Sequence, residues 1–483
     1  MIKFDLFTLE AFVSENKDFL INSRIQKIQQ PTRKELILHL RNQGESRKFY
    51  VNTNPEFYHV CFMSKENEQK RLIEIPKAPP MFCMLLRKYL EGAKIAKVEQ
   101  PKSERILEFY FEVYNEISEK IYLCLAIELM GKHSNVVLYN HDTNVIIGCL
   151  HNVGSDKSRQ RELVGGLPYV YPPKSSGGKF LCLADNFDKK LSVNENIDNY
   201  FANLQGEKKF KTLKSKLFSY FNSDLKKINN SLLKQQKQIS SDEKTQTYRK
   251  KADLIMSGLN EIKNKDFLTF IELIDWETNL PVKIELDKSL TLKENANRYY
   301  KLYNKAKTAH SKTEEMTAEL KREKDYLEQV LYSVESVQNI DELLEIEEET
   351  EQKRGQEGKK AGGQEKKIFS PIYPLTLHSS PFTIYIGKNN KQNDYIVSKL
   401  AKDEDLWFHV KDCAGSHVLL KTEKQIPSDE IILKCAKLAK EYSSAKNSTK
   451  AAVIYTKAKY LKKPPKAKLG YVTFTNEKEI VID

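Results

Sequence analysis

The sequence predicts a multidomain α/β chain, and three observations predict it. Its 483 residues exceed what one hydrophobic core holds, roughly 250–300 residues. Apolar residues run or alternate as strands through the first 172 residues, fall three or four apart across the middle, and return to a mixed pattern after residue 368. A low-complexity run at Lys353–Lys367, rich in Gly, Gln and Lys, sets the last unit apart.

The opening unit, 1–173, starts with a helix over Phe4–Val13, in which Leu6, Leu9, Phe12 and Val13 share a face. Paired strands follow at Arg24–Ile28 and Lys34–Leu40 around Pro31-Thr32. Further strands are expected at Lys48–Asn52, Tyr58–Met63, Ile95–Gln100, Ile106–Tyr114, Ile121–Met130, Asn135–Tyr139 and Val145–Leu150, with a helix at Pro80–Leu90. Gly131 and Asn140-His141-Asp142 supply turns, and Tyr169-Val-Tyr-Pro-Pro173 closes the unit.

Residues 174–206 are weakly patterned and read as a linker or a degenerate small module. A helical arm is expected over 207–350, its outgoing half carrying Phe210, Leu213, Leu217, Phe221, Leu225, Ile228 and Leu232 on one stripe. The apolar stretch Phe267–Leu286 predicts short strands at a tip near 264–290, and Thr291-Leu-Lys-Glu294 fits a capping box that opens the returning helix. There Leu320, Leu327 and Val334 recur at seven with Val330 and Val337 offset, which predicts an antiparallel coiled coil. Residues 351–367 read as a flexible linker and 368–483 as a small α/β module. That module has a strand at Pro381–Gly387, a loop of donors at Lys388–Asn393, and helices near Asp394–Ala401 and at Ser428–Glu441.

A net charge of +13 with 30% charged residues matters for partners only where the surplus concentrates. It does so between Lys446 and Thr475, which hold eight lysines and no acid, with Tyr455, Tyr460, Tyr471 and Phe474 interleaved. Lysines supply salt-sensitive attraction to phosphates and aromatic rings stack on bases, so Lys457, Lys459, Lys462 and Lys463 are candidate RNA contacts. Upstream, Asp405–Leu420 gathers Trp407, His409, Lys411, Ser416 and His417. Period two puts His409 and Lys411 on one face, with Asp412 and Gly415 turning into the next strand. Cys413 and two histidines bunched on one turn make poor zinc geometry, and Ser416 lacks the Gly-x-Ser-x-Gly elbow, so no metal ligand and no catalytic residue is assigned. Lys388, Asn389 and Asn390 add donors.

Three polar clusters of the first unit stand at loops: Ser103-Glu104-Arg105, Met130–Asn135 with Lys132 and His133, and Ser158–Arg161 with Arg159 and Arg161. Cationic side chains beside glycine turns suit phosphate and ribose, against the plain alternative of ordinary turn chemistry. The plain alternatives at the other end are satisfied core histidines and a solvated basic edge. Seven scattered cysteines without a C-x-x-C point to a reducing compartment. No basic segment followed by a long apolar one opens the chain and no eighteen apolar residues run together, so a soluble cytoplasmic protein is expected, with no membrane partner, no cofactor and no small-molecule substrate.

These residues resemble the NFACT family, the ribosome-associated quality-control tailing factors whose bacterial members were also named fibronectin-binding protein A. The likeness rests on Gly387–Asn393, Asp405–Asp412 with Gly415-Ser-His417, Tyr455-Thr-Lys457 with Lys462-Lys463-Pro464, and Gly470–Phe474. Earlier it takes in Leu85–Gly92, Met130–Asn135, Arg161–Pro173 and Glu294–Tyr300. The resemblance implies an NFACT-N domain similar in fold to the N-terminal domain of formamidopyrimidine-DNA glycosylases, a coiled-coil middle domain and an RNA-binding NFACT-R domain. It implies a factor that binds the large (50S) ribosomal subunit through 23S rRNA while peptidyl-tRNA still holds the nascent chain. Such a factor recruits tRNA, in bacteria tRNA-Ala, for message-independent C-terminal tailing that marks the chain for degradation. Glu104, Arg105, Lys132, His133, Arg159 and Arg161 then become candidate tRNA contacts, with Glu104 standing where the family has Asp. Ala414 replaces the proline of the family's Pro-Gly-Ser-His, and the helix-hairpin-helix module that the resemblance implies after the first domain is short or absent between 174 and 206. A start of Met1-Ile2-Lys3 lacks the proline nucleophile of the glycosylases, so glycosylase activity is not expected; the resemblance implies an RNA-binding factor and no enzyme, with peptidyl transfer carried out by the ribosome. The rival reading is a fibronectin-binding surface adhesin.

Overall fold

The computed structural model of the chain describes residues 3–101, 104–114, 117–156, 158, 160–173, 183–239, 242–260, 268–357, 374–465 and 467–483. They divide into two compact bodies, Met1–Lys211 and Thr212–Asp483.

In the first body α1 (Leu6–Leu20) begins where the Asp5 carboxylate accepts the Thr8 N–H at 2.9 Å. The helix runs past Val13 because buried Asn16 returns its amide to the Phe12 carbonyl (2.9 Å) and Leu20 is fully buried. β1 (Arg24–Gln29), β2 (Glu35–Asn42), β3 (Glu45–Asn52) and β4 (His59–Met63) form an antiparallel meander. The short α2 (Lys65–Lys70), capped by Ser64, carried no apolar periodicity to announce it. After α3 (Met81–Leu90), a second antiparallel sheet holds β5 (Ile95–Glu99), β6 (Ile106–Tyr114), β7 (Lys120–Glu128), β8 (Asn135–Asn140) and β9 (Ile146–Cys149) in that order. Phe12, Phe49, Phe62 and Phe109 link the helix and both sheets in one core, each buried ring contributing about 1.5–3 kcal/mol.

The arm's first helix, α4 (Val193–Ile239), begins earlier than the sequence indicated, so residues 193–206 are helix and not linker. A helical period was present there, Val193, Ile197, Phe201 and Leu204 packing on the first core, but it is short and interleaved with buried polar residues. Buried Asp198 takes the Arg71 guanidinium (2.6 Å), the Asn67 amide (2.7 Å) and the Ser64 N–H (3.0 Å), while Arg71 also donates to Gln205 (2.9 Å). A charge pair this deep holds the helix start only because every partner is present.

In the second body α5 (Asp242–Ser257) continues the arm, and the antiparallel pair β10 (Phe270–Ile274) and β11 (Pro281–Glu285) falls in the stretch read as short strands. α6 (Leu292–Ser336) opens on the expected capping box, Glu294 N–H to Thr291 Oγ1 at 3.3 Å and Thr291 N–H to Glu294 Oε2 at 2.8 Å. It returns antiparallel to α4: Gln235 accepts from the Thr317 hydroxyl (2.6 Å) and Lys214 donates to the Glu335 and Val337 carbonyls (2.7 and 3.0 Å). Leu327, Val330, Val334 and Val337 are buried. α7 (Ile340–Glu357) carries helix into 351–357, the first part of the expected linker; residues 358–373 lie outside the described ones.

The C-terminal module comprises β12 (Leu375–Ser379), β13 (Phe382–Ile386), α8 (Asn390–Tyr395), β14 (Leu406–Val410), β15 (Val418–Lys421), α9 (Asp429–Glu441), β16 (Ala451–Lys457), the small pair β17 (Leu461–Lys462) and β18 (Thr473–Phe474), and β19 (Lys478–Ile482). Six strands form one antiparallel sheet in the order β12-β13-β15-β14-β16-β19. Leu406, Phe408 and Val410 pack with Cys435, Ala436 and Ala439 of α9, which leaves Trp407 and His409 on the other face. Among the described residues no helix is long and apolar enough to cross a membrane.

Candidate nucleic-acid interface

At one end of the β6–β7 pair the Arg105 carbonyl accepts the Leu129 N–H (2.9 Å), and the single helical turn Gly131–His133 follows directly. Tyr58 joins the two: its hydroxyl takes Arg105 Nη1 at 3.4 Å, and a Cβ on Gly131, whose φ is +67°, would lie 3.7 Å from its ring. Glu104 and Arg105 are half-buried, and Lys132 and His133 are exposed. Four of the six candidate tRNA residues therefore lie around one turn. Arg161 is otherwise engaged: its guanidinium grips fully buried Glu128 (2.9 and 2.5 Å) and the Val170 carbonyl (2.9 Å). Burial pushes the Glu128 carboxyl up while Arg161 pulls it down, so this arginine serves packing. Arg159 and Ser103 lie outside the described residues.

In the second body the stretch Lys388–Asn393 is no open loop. Asn389 caps α8, accepting the Gln392 N–H at 2.9 Å, and the remaining donors meet the acidic face of α7. Lys388 reaches Glu342 (2.9 Å), Asn389 and Gln392 reach Glu345 (2.7 and 3.1 Å), Lys391 reaches Glu348 (3.0 Å) and Asn390 reaches Glu349 (3.3 Å). Gly387 is required by close approach, since a Cβ there would stand 2.9 Å from the Asn393 backbone nitrogen. Gly415 is required likewise, 2.8 Å from Ser443 Cβ, and Gln329 of α6 clamps it by two hydrogen bonds of 2.7 Å.

Trp407 is 1% exposed; His409 lies parallel to it at 5.7 Å and His417 stands edge-on at 5.1 Å. Burial, with His409 beside it, holds the His417 imidazole well below its usual range, so it is neutral. Ser416 is buried and its N–H donates to the Tyr442 carbonyl (2.8 Å). Lys411 follows the strand, exposed, and pairs with Glu479 at 2.8 Å; since Glu479 lies in register with Ile454 and His409, this keeps the lysine on the His409 side of the sheet, as period two predicts.

The basic segment is acid-free only in sequence. Lys457 and Lys459 both hold Glu404 (2.7 and 2.8 Å), Lys463 holds Asp394, and Lys468 holds Glu323. Hydrogen bonds from Lys457 and then Lys459 push the Glu404 carboxyl down to about 2. Lys446, Lys450 and Lys462 are exposed with no acidic partner among the described residues. The sequence reading missed Gln329, Tyr58 and the α7 glutamates, because each acts through a contact distant along the chain.

Residues 5–192 and 178–368 match the family model described as NFACT N-terminal and middle domains, and residues 372–476 match that of the NFACT protein RNA binding domain. The chain is 29% identical to the Rqc2 homolog RqcH of Streptococcus pneumoniae, over 99% of this chain and 97% of that one. It is 26% identical to the Rqc2 homolog RqcH of Bacillus subtilis, over 100% and 98%. The solved C-terminal part of the fibronectin/fibrinogen-binding protein from Streptococcus suis is 28% identical over 56% of this chain and 94% of that one, with a TM-score of 0.44 that supports no statement about fold.

Proposed function

The chain belongs to the NFACT family, and from that premise we propose that it is a ribosome quality-control factor. It binds obstructed large ribosomal subunits that still carry peptidyl-tRNA and recruits tRNA, alanyl-tRNA in the first instance, for message-independent tailing of the stalled chain. The observation that carries the reading is end-to-end agreement: N-terminal, middle and RNA-binding family models follow one another along the chain, and curated relatives named Rqc2 homolog RqcH match nearly its whole length.

In this reading the factor positions RNA, and the ribosome forms the peptide bond. Arg105, Lys132 and His133 around the Gly131 turn hold tRNA, with Glu104 orienting a guanidinium or accepting from a base. Lys446, Lys450 and Lys462 supply attraction to RNA phosphates. The 1–173 region acts as the NFACT-N domain, for which family membership implies a likeness to the glycosylase N-domain, and the arm gives reach to the RNA-binding module at 368–483. Sedimentation through sucrose gradients with stalled large subunits, tRNA and nascent chain tests this. Co-migration with the subunits and tail synthesis are expected; a chain that stays at the top of the gradient and binds immobilised fibronectin instead refutes it.

A further inference from the structure

Between α6 and the Trp407 face of the C-terminal sheet lies a cavity of about 900 Å³, within the range of ligand pockets. Its walls are aromatic and prolyl, including Trp407, Tyr471, Phe474 and Pro464. Among the described residues, two buried polar atoms on its lining find no hydrogen-bond partner: Nε1 of Trp407, which is 1% exposed, and Nδ1 of His417, which is 4% exposed. Around them stand six carboxylates against two cations, Arg322 and Lys468. Two of those acids, Asp325 and Asp412, lie near enough for their charges to interact. Loss of water around it pushes the Asp325 carboxyl above its usual value, with Lys324 pulling it down and Asp412 adding to the rise.

The pattern selects a ligand class. A phosphate offers only acceptors and meets the acids. A guanidinium or ammonium offers only donors and leaves the indole N–H, itself a donor, unsatisfied. A planar ring with donors and acceptors on its edges answers both, and aromatic walls favour it by stacking. We propose that this cavity seats a single unstacked nucleobase, guanine ahead of the other three, with its N–H edge on Asp325 and Asp412 and its acceptor edge on the Trp407 N–H. Guanine leads because it carries both imino and amino donors beside its acceptor oxygen. The backbone phosphate stays outside the acidic rim. The inference deepens the RNA-binding reading and rests on it: the lysines give affinity, and the cavity selects the base.

The test uses the full chain with Trp276→Phe, which leaves Trp407 as its one indole, since the sequence holds two tryptophans. Trp276 is 54% exposed, so the replacement leaves the core alone. Guanosine, adenosine, cytidine and uridine 5′-monophosphates are titrated against Trp407 emission, and binding of labelled single-stranded RNA is followed separately by anisotropy. Saturable quenching is expected, strongest with the guanine nucleotide. Asp325→Asn with Asp412→Asn is expected to weaken that nucleotide about tenfold, near 1.4 kcal/mol. Both positions are exposed, and Asp412 has φ +53°, which asparagine accepts readily. Binding that strengthens in the double variant shows that phosphate is held, and overturns the proposal. Quenching by an arginine-rich peptide but by no nucleotide overturns it in favour of a protein partner. RNA that binds while no nucleotide changes Trp407 emission overturns the cavity assignment and leaves RNA binding intact; RNA that does not bind removes both.

Discussion

Replacing Lys446, Lys450 and Lys462 together by Ala isolates the lysines that the fold leaves facing solvent from those it has already paired. These three are exposed without an acidic partner among the described residues, whereas Lys457 and Lys459 share Glu404. Each lysine that neutralises a phosphate adds roughly 0.7 on single strands to 0.9 on duplex to the falling slope of log K against log[salt]. The triple variant is therefore expected to flatten the slope by about 2.1–2.7, so that between ~50 and ~200 mM salt the unaltered protein loses roughly 20- to 40-fold more affinity than the variant. Converting Glu404, Lys457 and Lys459 together to Gln removes a cluster whose formal charge is a single positive unit, and is expected to flatten the slope by at most one contact, about 0.7–0.9. Anisotropy of labelled tRNA across a salt series reads both. Equal flattening by the two variants refutes the division into paired and unpaired lysines.

Three further perturbations follow from particular contacts. Gln329→Ala removes both 2.7 Å bonds to buried Gly415 and is expected to destabilise the second body by roughly 2–4 kcal/mol, seen in urea unfolding followed by Trp407 emission; a change below about 0.5 kcal/mol contradicts the clamp. Arg71→Ala strands the buried Asp198 carboxylate at a cost of about 3–5 kcal/mol, while Arg71→Met with Asp198→Leu is expected to recover much of it; calorimetry that finds the single variant melting with the unaltered protein removes the pair from the account. The Glu404 carboxyl titrates in the folded protein near 2, below its ordinary 4.5, so its pairing stabilises the fold above pH ~4.5 and that contribution is lost as pH falls toward 2; carbon-13 NMR showing an ordinary midpoint counts against the cluster.

The strands of the first body were legible because each buries one face or both and carries the alternation or apolar run that burial demands, as Leu36 to Leu40 and Ile106 to Phe111 do. The heptads over Leu327–Val337 and the Thr291 capping box were legible for the same local reason. What sequence hid is set by contacts across long chain separations. Lys457, Lys459 and Lys463 stand in a stretch without acids, yet Glu404 and Asp394 reach them from earlier elements. The donors of 388–393 suit an RNA loop by composition, and α7 meets them with a row of glutamates. The helix start at Val193 was legible in Val193, Ile197, Phe201 and Leu204 and was passed over because the period is short; what the sequence did hide is the buried Asp198–Arg71 contact beside it. The residues at 104–105 and 132–133 stand beside turns, which sequence can show, but Tyr58, which links Arg105 with the Gly131 turn, lies on neither segment.

We propose that Glu104 and Arg105 govern tRNA recruitment while subunit binding is spread over many other contacts. A charged hydrogen bond lost from Arg105 costs roughly 1.5–3 kcal/mol, or about 10- to 150-fold in tRNA affinity. The direct measurement is the tRNA carried by purified large-subunit complexes, with the tails made on them, for the unaltered protein and for Glu104→Ala with Arg105→Ala. Normal subunit recovery with tRNA and tails lost is expected. Equal tRNA occupancy and equal tail synthesis in the double variant contradict it.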